Sequence, residues 1–478
     1  MTGNKQQFFY ELSLVIAVPA TYENCSRFPV YVEEPLRNPK QMTGKQRPII
    51  IGFGPAGMFA ALELIEHGLK PLIFERGKNL NDRHVDVQRF ISDRILTTES
   101  NIQFGAGGAG SYSDGKLFSR PNNSIYANKV LDTFITFGAP TAIRYISKPH
   151  LGTDVLRTIV ANIRNHILGH GGEINFNSKM TDILVCKDSA IGITVNDSAQ
   201  YFTDALYLAI GNSARDTFAL LHKQGVLLES KPIAVGVRIE HPSRTINGIR
   251  YGDKYRDFCS LGAATYSFTY TNRQAGRGVY TFCMCPGGEV VNASSAAGLL
   301  ALNGMSYAAR DSAFSNSAIT VPCTVDDYKS VHPLAGIEFQ KEIERRAFIA
   351  GGETWQAPAQ NLIDFLKQKP SKSLNSNSYK MGTVSADIGT IFPPFIGESL
   401  RRAFNQWQTE SPLFVADDAI LMGPETRTSS PVRVVRGKNF ESKTIRNLYP
   451  IGEGSGYSGG IISAAIDAIK AVESVIKE

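Results

Sequence analysis

The sequence predicts an α/β protein in which a parallel-sheet domain, discontinuous along the chain, is interrupted by a largely antiparallel β domain. Three observations predict it. From Arg47 to Gly77, "RPIIIGFGPAGMFAALELIEHGLKPLIFERG" reads as an apolar strand, a glycine turn, a helix with apolar spacing over Met58 to Ile65 and a second strand closing at Glu75. From Leu448 to Val472, "LYPIGEGSGYSGGIISAAIDAIKAV" returns to strand, turn and helix, the helix running from Ser458 to Ile476. Beyond Lys231 the segments "IAVGVRIEH", "TYSFTYT" and "GVYTFCMC" alternate apolar and polar residues between Gly, Asn and Arg turns, which is antiparallel strand chemistry.

Taken in order, residues 1–45 hold one strand and then a polar, proline-bearing connection from Glu23 to Lys45, with no chemistry assigned. A helix is expected over Thr153 to Leu168, followed by strands in "EINFNSKMTDILVC", "IGITVN" and "DALYLAIGN". Helices are expected again at Glu338 to Ala350 and Asn361 to Lys369, and a Ser/Asn/Lys-rich loop at Pro370 to Lys380. The segments are therefore 1–45, a first part of the parallel-sheet domain at 46–230, an inserted substrate or cap domain at 231–420, and a returning part at 421–478.

Length and composition fit this division. At 478 residues the chain can bury more than one core, and 42% apolar with 20% charged residues is ordinary for a water-soluble protein. Lysine and arginine number 50 against 44 aspartate and glutamate, and they are scattered, which speaks against nucleic acid as a partner. The run "LSLVIAVPA" is too short to span a membrane, and no basic segment of signal-peptide type precedes it, so a cytoplasmic protein is expected. Six cysteines in so long a chain make no disulfide framework. No Cys/His cluster has metal-ligand spacing, so no metal is expected.

The first glycine cluster carries a specific chemistry. Gly52, Gly54 and Gly57, with Pro55 and Ala56 among them, follow directly on an apolar strand and open a helix. In that context the first glycine permits the tight turn, the second lets backbone approach a pyrophosphate, and the third lets the helix sit close to the strand. Phosphates then meet free amides and the positive end of the helix dipole. Glu75, followed by Arg76, ends the next strand, where a carboxylate accepts from both hydroxyls of an adenosine ribose. This is a Rossmann-like signature. A second G-x-G-x-x-G, at Gly105, Gly107 and Gly110, has neither a leading strand nor a following helix and reads as a loop lying close to a flat ligand.

A nicotinamide dinucleotide asks nothing more of the distant C-terminus, whereas a flavin needs its ribityl chain and ring held as well. The second segment supplies that: Gly452 and Glu453 end a strand, Glu453 can bond ribityl hydroxyls or a water on the pyrophosphate, and the amides of Gly459, Gly460 and Ile461 point toward the N1 and O2 edge. A helix N-terminus there stabilises the charge on reduced flavin and raises its reduction potential. The cofactor expected is FAD.

Together the two ends resemble the class of FAD flavoproteins that includes glutathione reductase and para-hydroxybenzoate hydroxylase. More narrowly, "FGAGGAGSYSDGKL", "KPHLGTDVL", "VGVRIEHP", "TFCMCPGGEVV", "GPETRTSSPVR" and "YPIGEGSGYSGGI" resemble an uncharacterised family of FAD-dependent dehydrogenases, over residues 48 to the C-terminus. The resemblance implies Gly107, Gly108, Ala109 and Ser111 as neighbours of the ring or pyrophosphate, Met180 or Thr181 as backbone partners of adenine, and Gly211 as the strand-end glycine passing the cofactor. It also favours Arg427, among Arg433 and Arg436, as the guanidinium that binds an anionic substrate or stabilises reduced flavin. Lys116 reads as a solvated loop lysine or as a group near flavin N5 or a substrate carbonyl. Cys283 and Cys285 read as buried or cavity-lining thiols before they read as a disulfide.

The expected function is an FAD-dependent oxidoreductase passing hydride between flavin N5 and a small organic substrate. With one dinucleotide signature, NAD(P)H would bind only transiently if at all. The alternatives are an FAD-dependent monooxygenase and a non-catalytic flavin-binding protein.

Overall fold

The computed structural model describes residues 46–117, 125–272 and 276–477, with scattered positions before 46. Most of the stretch expected to hold the N-terminal strand and connection, Cys25 included, lies outside the described residues. Among the described residues, strands and helices are numbered along the chain.

Five short strands, β1 (Ile49–Ile51), β2 (Leu72–Phe74), β3 (Glu173–Asn175), β7 (Leu206–Leu208) and β19 (Leu448–Pro450), form a parallel sheet in the order β19-β7-β1-β2-β3. They stand in step, Ile49 opposite both Leu72 and Leu206, and Leu206 opposite Leu448. Their strict alternation decides what covers each face. Ile50, Tyr207 and Tyr449 pack under α1 (Pro55–Glu66), α3 (Ile125–Thr136), α4 (Gly152–Gly169) and α10 (Ile461–Lys477). Ile49, Ile51 and Leu208 pack on the other side against Ile183 and Ile193, which belong to a three-stranded sheet of β4 (Met180–Cys186), β5 (Ser189–Val195) and β6 (Ala199–Phe202), and against Phe218 of α5 (Arg215–Lys223). The strand-like segment "EINFNSKMTDILVC" holds two strands, β3 and β4, in different sheets. The turn between them is set by Asn177, which adopts a left-handed φ of 53°.

The second sheet has seven strands in the order β10-β11-β14-β9-β17-β15-β16. These are β10 (Thr269–Asn272), β11 (Arg277–Cys285), β14 (Phe314–Cys323), β9 (Ile233–Pro242), β17 (Ile420–Glu425), β15 (Ala357–Asn361) and β16 (Thr383–Ser385), all antiparallel except the last pair. β9 and β14 pair over their full length, from Ile233 opposite Cys323 to Pro242 opposite Phe314. Phe404 and Trp407 of α9 (Pro394–Glu410) pack with Phe414 in this core. A hairpin of β12 (Glu289–Asn292) and β13 (Leu302–Met305) lies alongside, and a pair of β8 (Leu228–Ser230) and β18 (Val432–Val434) links the two regions. The boundary drawn from sequence at 420 falls at the start of β17, so this last strand of the antiparallel sheet runs directly into the C-terminal segment.

Helices α7 (Ala335–Ala350) and α8 (Leu362–Leu366) fall within or near the expected spans, whereas α2 (Leu80–Asp93), α3, α5, α6 (Ser243–Tyr251) and α9 were not expected. In α2 the apolar face is thin, Val87 and Phe90 among charged residues, so periodicity gives little signal. No described helix is long and apolar enough to cross a membrane.

Candidate functional site

A cavity of 2890 Å³ opens at the ends of β1, β2, β7 and β19, where Ile51, Glu75, Ala209 and Ile451 line it, and extends to the seven-stranded sheet. That position, outside the carboxyl ends of parallel strands, is where open α/β sheets take their ligands.

The turn after β1 is built as its glycines predict. Gly52 has a φ of 101°, and a Cβ there would stand 2.4 Å from the Ala209 carbonyl oxygen. A Cβ on Gly57 would stand 2.0 Å from the carbonyl oxygen of Gly52, so helix and strand touch through that position. Gly54, Pro55 and Ala56 line the cavity at the head of α1. From the far end of the chain, Glu453, in the turn after β19, and Gly459, Gly460 and Ile461, at the head of α10, line the same cavity. The two segments meet: a Cβ on Gly452 would fall 2.6 Å from the Cβ of Ala56. Gly452 also donates its amide to Asp467 at 2.8 Å. Gly211 has a φ of 69°, and no atom lies within 4 Å of where its Cβ would be.

The loop of Gly105, Gly107 and Gly110 is stitched onto this turn. Gly107 donates to the Phe53 carbonyl at 2.7 Å and Ala106 to that of Lys78 at 3.0 Å. Gly108, with a φ of 60°, faces Gly54, and its Cβ would come within 3.0 Å of the Gly54 Cα. Gly108 and Ala109 line the cavity, while Ser111 is buried behind them, donating to the Ala106 carbonyl at 3.2 Å. Beneath lies Arg83, wholly buried, which donates to the carbonyls of Asn101, Ile102 and Ala106 at 2.7 to 2.9 Å. Burial lowers its pKa to about 10. Nothing in the sequence of α2 distinguishes this arginine from its exposed neighbours.

Several of the expected site residues are engaged by partners from remote parts of the chain. Glu75 lines the cavity, but its carboxylate accepts from three amides, those of Phe53 at 2.8 Å, Gly77 at 2.8 Å and Gly105 at 2.9 Å. The bonds it makes here hold the two glycine loops together, Oε1 taking two of the amides and Oε2 one. Arg76 also lines the cavity, its guanidinium held in a cluster: bidentate to Asp216 at 2.8 Å and bonded to Glu99 at 2.6 Å, with Lys179 bridging the same two acids. Met180 is buried on the cavity wall. Thr181 is not among the lining residues; it sits where the β4–β5 register shifts, and its hydroxyl accepts from the Asp197 amide.

Arg427 lines the cavity, yet its guanidinium is bonded on every side: Glu344 at 3.2 Å, Ser213 at 3.1 Å and Ser295 at 2.6 Å. Glu344 in turn takes both Nη atoms of Arg215 at 2.8 Å, and the two cations outweigh burial to hold its carboxyl down at about 2. Lys116 is half-buried rather than solvated, its Nζ 3.1 Å from Asp114. Asp114 is completely enclosed and also receives Arg310 at 2.6 Å and the hydroxyl of Ser306. Burial acts to lower the Lys116 pKa, but Cys283, Cys285 and Asp114 together hold it above its usual value.

Two β-bulges shape the far wall. The β11–β14 register shifts between Phe282 and Cys285, and the β17–β9 register between Met422 and Glu425. Bulges re-aim side chains, and here Cys283 and Glu425 both line the cavity. Arg238, buried on β9 between them, donates to the Cys283 carbonyl at 3.2 Å, to Asn316 and, at 3.4 Å, to Glu425. Burial pushes the Glu425 carboxyl up to about 7 against the pull of Arg238. Burial likewise pushes Glu453 up to about 7, opposed by the Asn212 amide 2.9 Å away. An arginine following the apolar run "IAVGV" in the strand "IAVGVRIEHP" was the sequence signal for Arg238. The described residues contain no group of three or more His, Cys, Asp or Glu suited to a metal ion.

Two glycine-headed helices converging on one elongated cavity, with left-handed glycines where a Cβ would intrude, suit the length and close backbone approach that FAD requires.

A family profile described as "FAD-dependent protein, C-terminal domain-like" matches residues 232–428. An uncharacterised protein of Clostridium beijerinckii is 45% identical over 436 residues, covering 91% of this chain and 81% of that one. Among solved structures, the flavin-dependent brominase Bmp2 is 13% identical with a TM-score of 0.39, covering 90% of this chain and 78% of that one. A flavocytochrome c3 fumarate reductase in its open conformation is 12% identical with a TM-score of 0.36, covering 92% and 79%. Likenesses so weak assign no reaction. The chain belongs, by its long match to the Clostridium protein and by the profile over its antiparallel sheet, to a family of FAD-dependent proteins.

Proposed function

We propose that the protein is an FAD-dependent oxidoreductase that exchanges hydride with a small organic substrate. In this reading 46–230 and 421–478 together make a Rossmann-like FAD-binding unit, and 231–420 supplies the substrate wall. The observation that carries it is the convergence of the heads of α1 and α10 on one cavity. Bound flavin would supply two-electron and hydride chemistry at N5.

The chain's own residues then divide the work. Gly54, Ala56 and Gly108 allow backbone to close on a pyrophosphate, while Gly459, Gly460 and Ile461 offer a helix N-terminus to the pyrimidine edge of the ring. Glu453, poised near pH 7, can hold or release a proton beside them. Tyr266, Phe268, Phe282 and Met284 give the substrate an apolar bed, and Lys116 and Arg310 give it a positive end. This favours a substrate with an apolar body and an anionic group. Arg427, fixed by Glu344, contributes a stationary charge rather than a mobile clamp.

The test is direct. Purified protein should bind FAD, quenching its fluorescence, and Gly108→Val should weaken binding about tenfold or more, ~1.4 kcal/mol or above. Anaerobic NADH or NADPH, or a reducing substrate, should bleach the bound flavin, and an artificial acceptor should restore its colour. A protein that takes up no FAD would refute the reading, as would a bound flavin that no donor reduces. Oxygen-dependent hydroxylation of a substrate would turn it into the monooxygenase alternative.

A further inference from the structure

The far wall of the cavity carries a group that the hydride reading leaves unused. Cys283 and Cys285 flank Met284 at the end of β11, both as free thiols, and Cys283 and Met284 line the cavity. Residues two apart on a strand share a face with Cα atoms separated by about 6.8 Å at most, the upper part of the range a disulfide bridges. Regular pairing has been given up here: the register with β14 shifts across Phe282 to Cys285, and Cys283 adopts a left-handed φ of 45°. For a residue with a side chain that conformation is strained, and it persists only where surrounding structure imposes it.

We propose that Cys283 and Cys285 form a reversible dithiol–disulfide couple, a second two-electron centre set in the wall of the flavin cavity. Cys283 is the accessible sulfur, and Cys285, fully buried behind it, is the resolving one. The surrounding charges favour this division. The adjoining Cys285 thiol, by hydrogen bonding, holds Cys283 down at about 5 against burial, with Lys116 and Arg238 assisting and Asp114 opposing. Glu425, facing the same sulfur, is itself pushed toward neutrality by burial. Cys285, whose sulfur lies 3.8 Å from Arg238 and 3.4 Å from the Cys283 carbonyl oxygen, is held well above the usual thiol range by its partner and by burial. In oxidation the Sγ–Sγ bond forms, both thiols give up their protons, and two electrons leave the pair. Oxidised flavin would accept those two electrons and two protons as its dihydro form. Reduction is the reverse. The electron route rests on the FAD reading; the thiol couple does not.

Two measurements test it separately. The chain, without added flavin, is reduced with dithiothreitol, freed of it and exposed to oxidised glutathione. The tryptic peptide spanning 278–310 should then be two hydrogens lighter and refuse iodoacetamide, while Cys283→Ser and Cys285→Ser each retain one alkylatable thiol or carry glutathione. The oxidised FAD-loaded protein is next titrated anaerobically with dithionite. It should take up about four electrons per chain, and either variant, still yellow, about two. A peptide that stays fully alkylatable overturns the couple, and a native count of about two overturns its link to flavin. Failure to bind FAD would void only the second measurement and is visible as colourless protein.

Discussion

Single atoms decide whether the glycine turn can form. Because a methyl on Gly57 would sit 2.0 Å from the Gly52 carbonyl oxygen, Gly57→Ala must push α1 off β1. Overpacking of this kind costs about 1–3 kcal/mol, so we expect a lowered Tm together with loss of bound FAD absorbance. Arg83 shows the opposite dependence on a side chain. Arg83→Met would leave two buried carbonyls, those of Asn101 and Ile102, without a donor, and that of Ala106 with only the Ser111 hydroxyl. Each such group costs about 1–3 kcal/mol. Thermal unfolding should show a larger fall than Gly57→Ala produces, and a Tm within error of the native value would refute the scaffold role.

At the level of elements, one buried acid ties three pieces of chain. Glu344 on α7 binds Arg215 of α5 and Arg427 just after β17. Its carboxyl is depressed to about 2, so the stability it supplies is complete above the ordinary carboxylate range and disappears as pH falls from about 4.5 toward 2. Glu344→Gln leaves two buried cations short of their counter-charge, a loss of about 3–5 kcal/mol. Denaturant titrations at pH 7 should therefore separate the variant from the native chain, and the gap should narrow at pH 3. A gap independent of pH would contradict the ionic account. These elements also show why the helix pattern was legible only in part. α10, apolar along one face, was readable, whereas α9 joins a proline-bearing start to polar residues and is held by tertiary burial of Phe404 and Trp407.

Across the whole molecule the buried acids bias the response to pH in the other direction. Glu240, Glu425 and Glu453 are each pushed to about 7 by burial. A folded-state pKa above the unfolded value means the native chain binds the extra proton between about pH 4.5 and 7, so stability declines as pH rises through that window. Glu240, whose partner is Ser378, tests this best because it lies outside the cavity lining. Glu240→Gln should raise the unfolding free energy relative to the native chain at pH 8, by an amount on the order of 1 kcal/mol, and leave it little changed at pH 5. An equal effect at both values would dismiss the titration. The same low-dielectric interior that raises these acids gives the cavity charges their strength.

The sequence by itself determined the parts whose physics is local. A glycine turn between strand and helix needs particular residues at particular spacings, so Gly52, Gly54, Gly57 and the segment from Gly452 to Ile461 could be read without coordinates, as could FAD. Alternation in "IAVGVRIEH" likewise announced β9. Only the tertiary structure decided how charged side chains are used, because their partners come from remote chain: Glu75 is taken by amides of 53, 77 and 105, Arg76 by Asp216, and Arg427 by Glu344. It also decided that Cys283 and Glu425 share one wall, since bulges in two different strand pairs turn them there. A hydrogen-bonding group is satisfied by whatever the fold brings near, and sequence spacing does not encode that proximity.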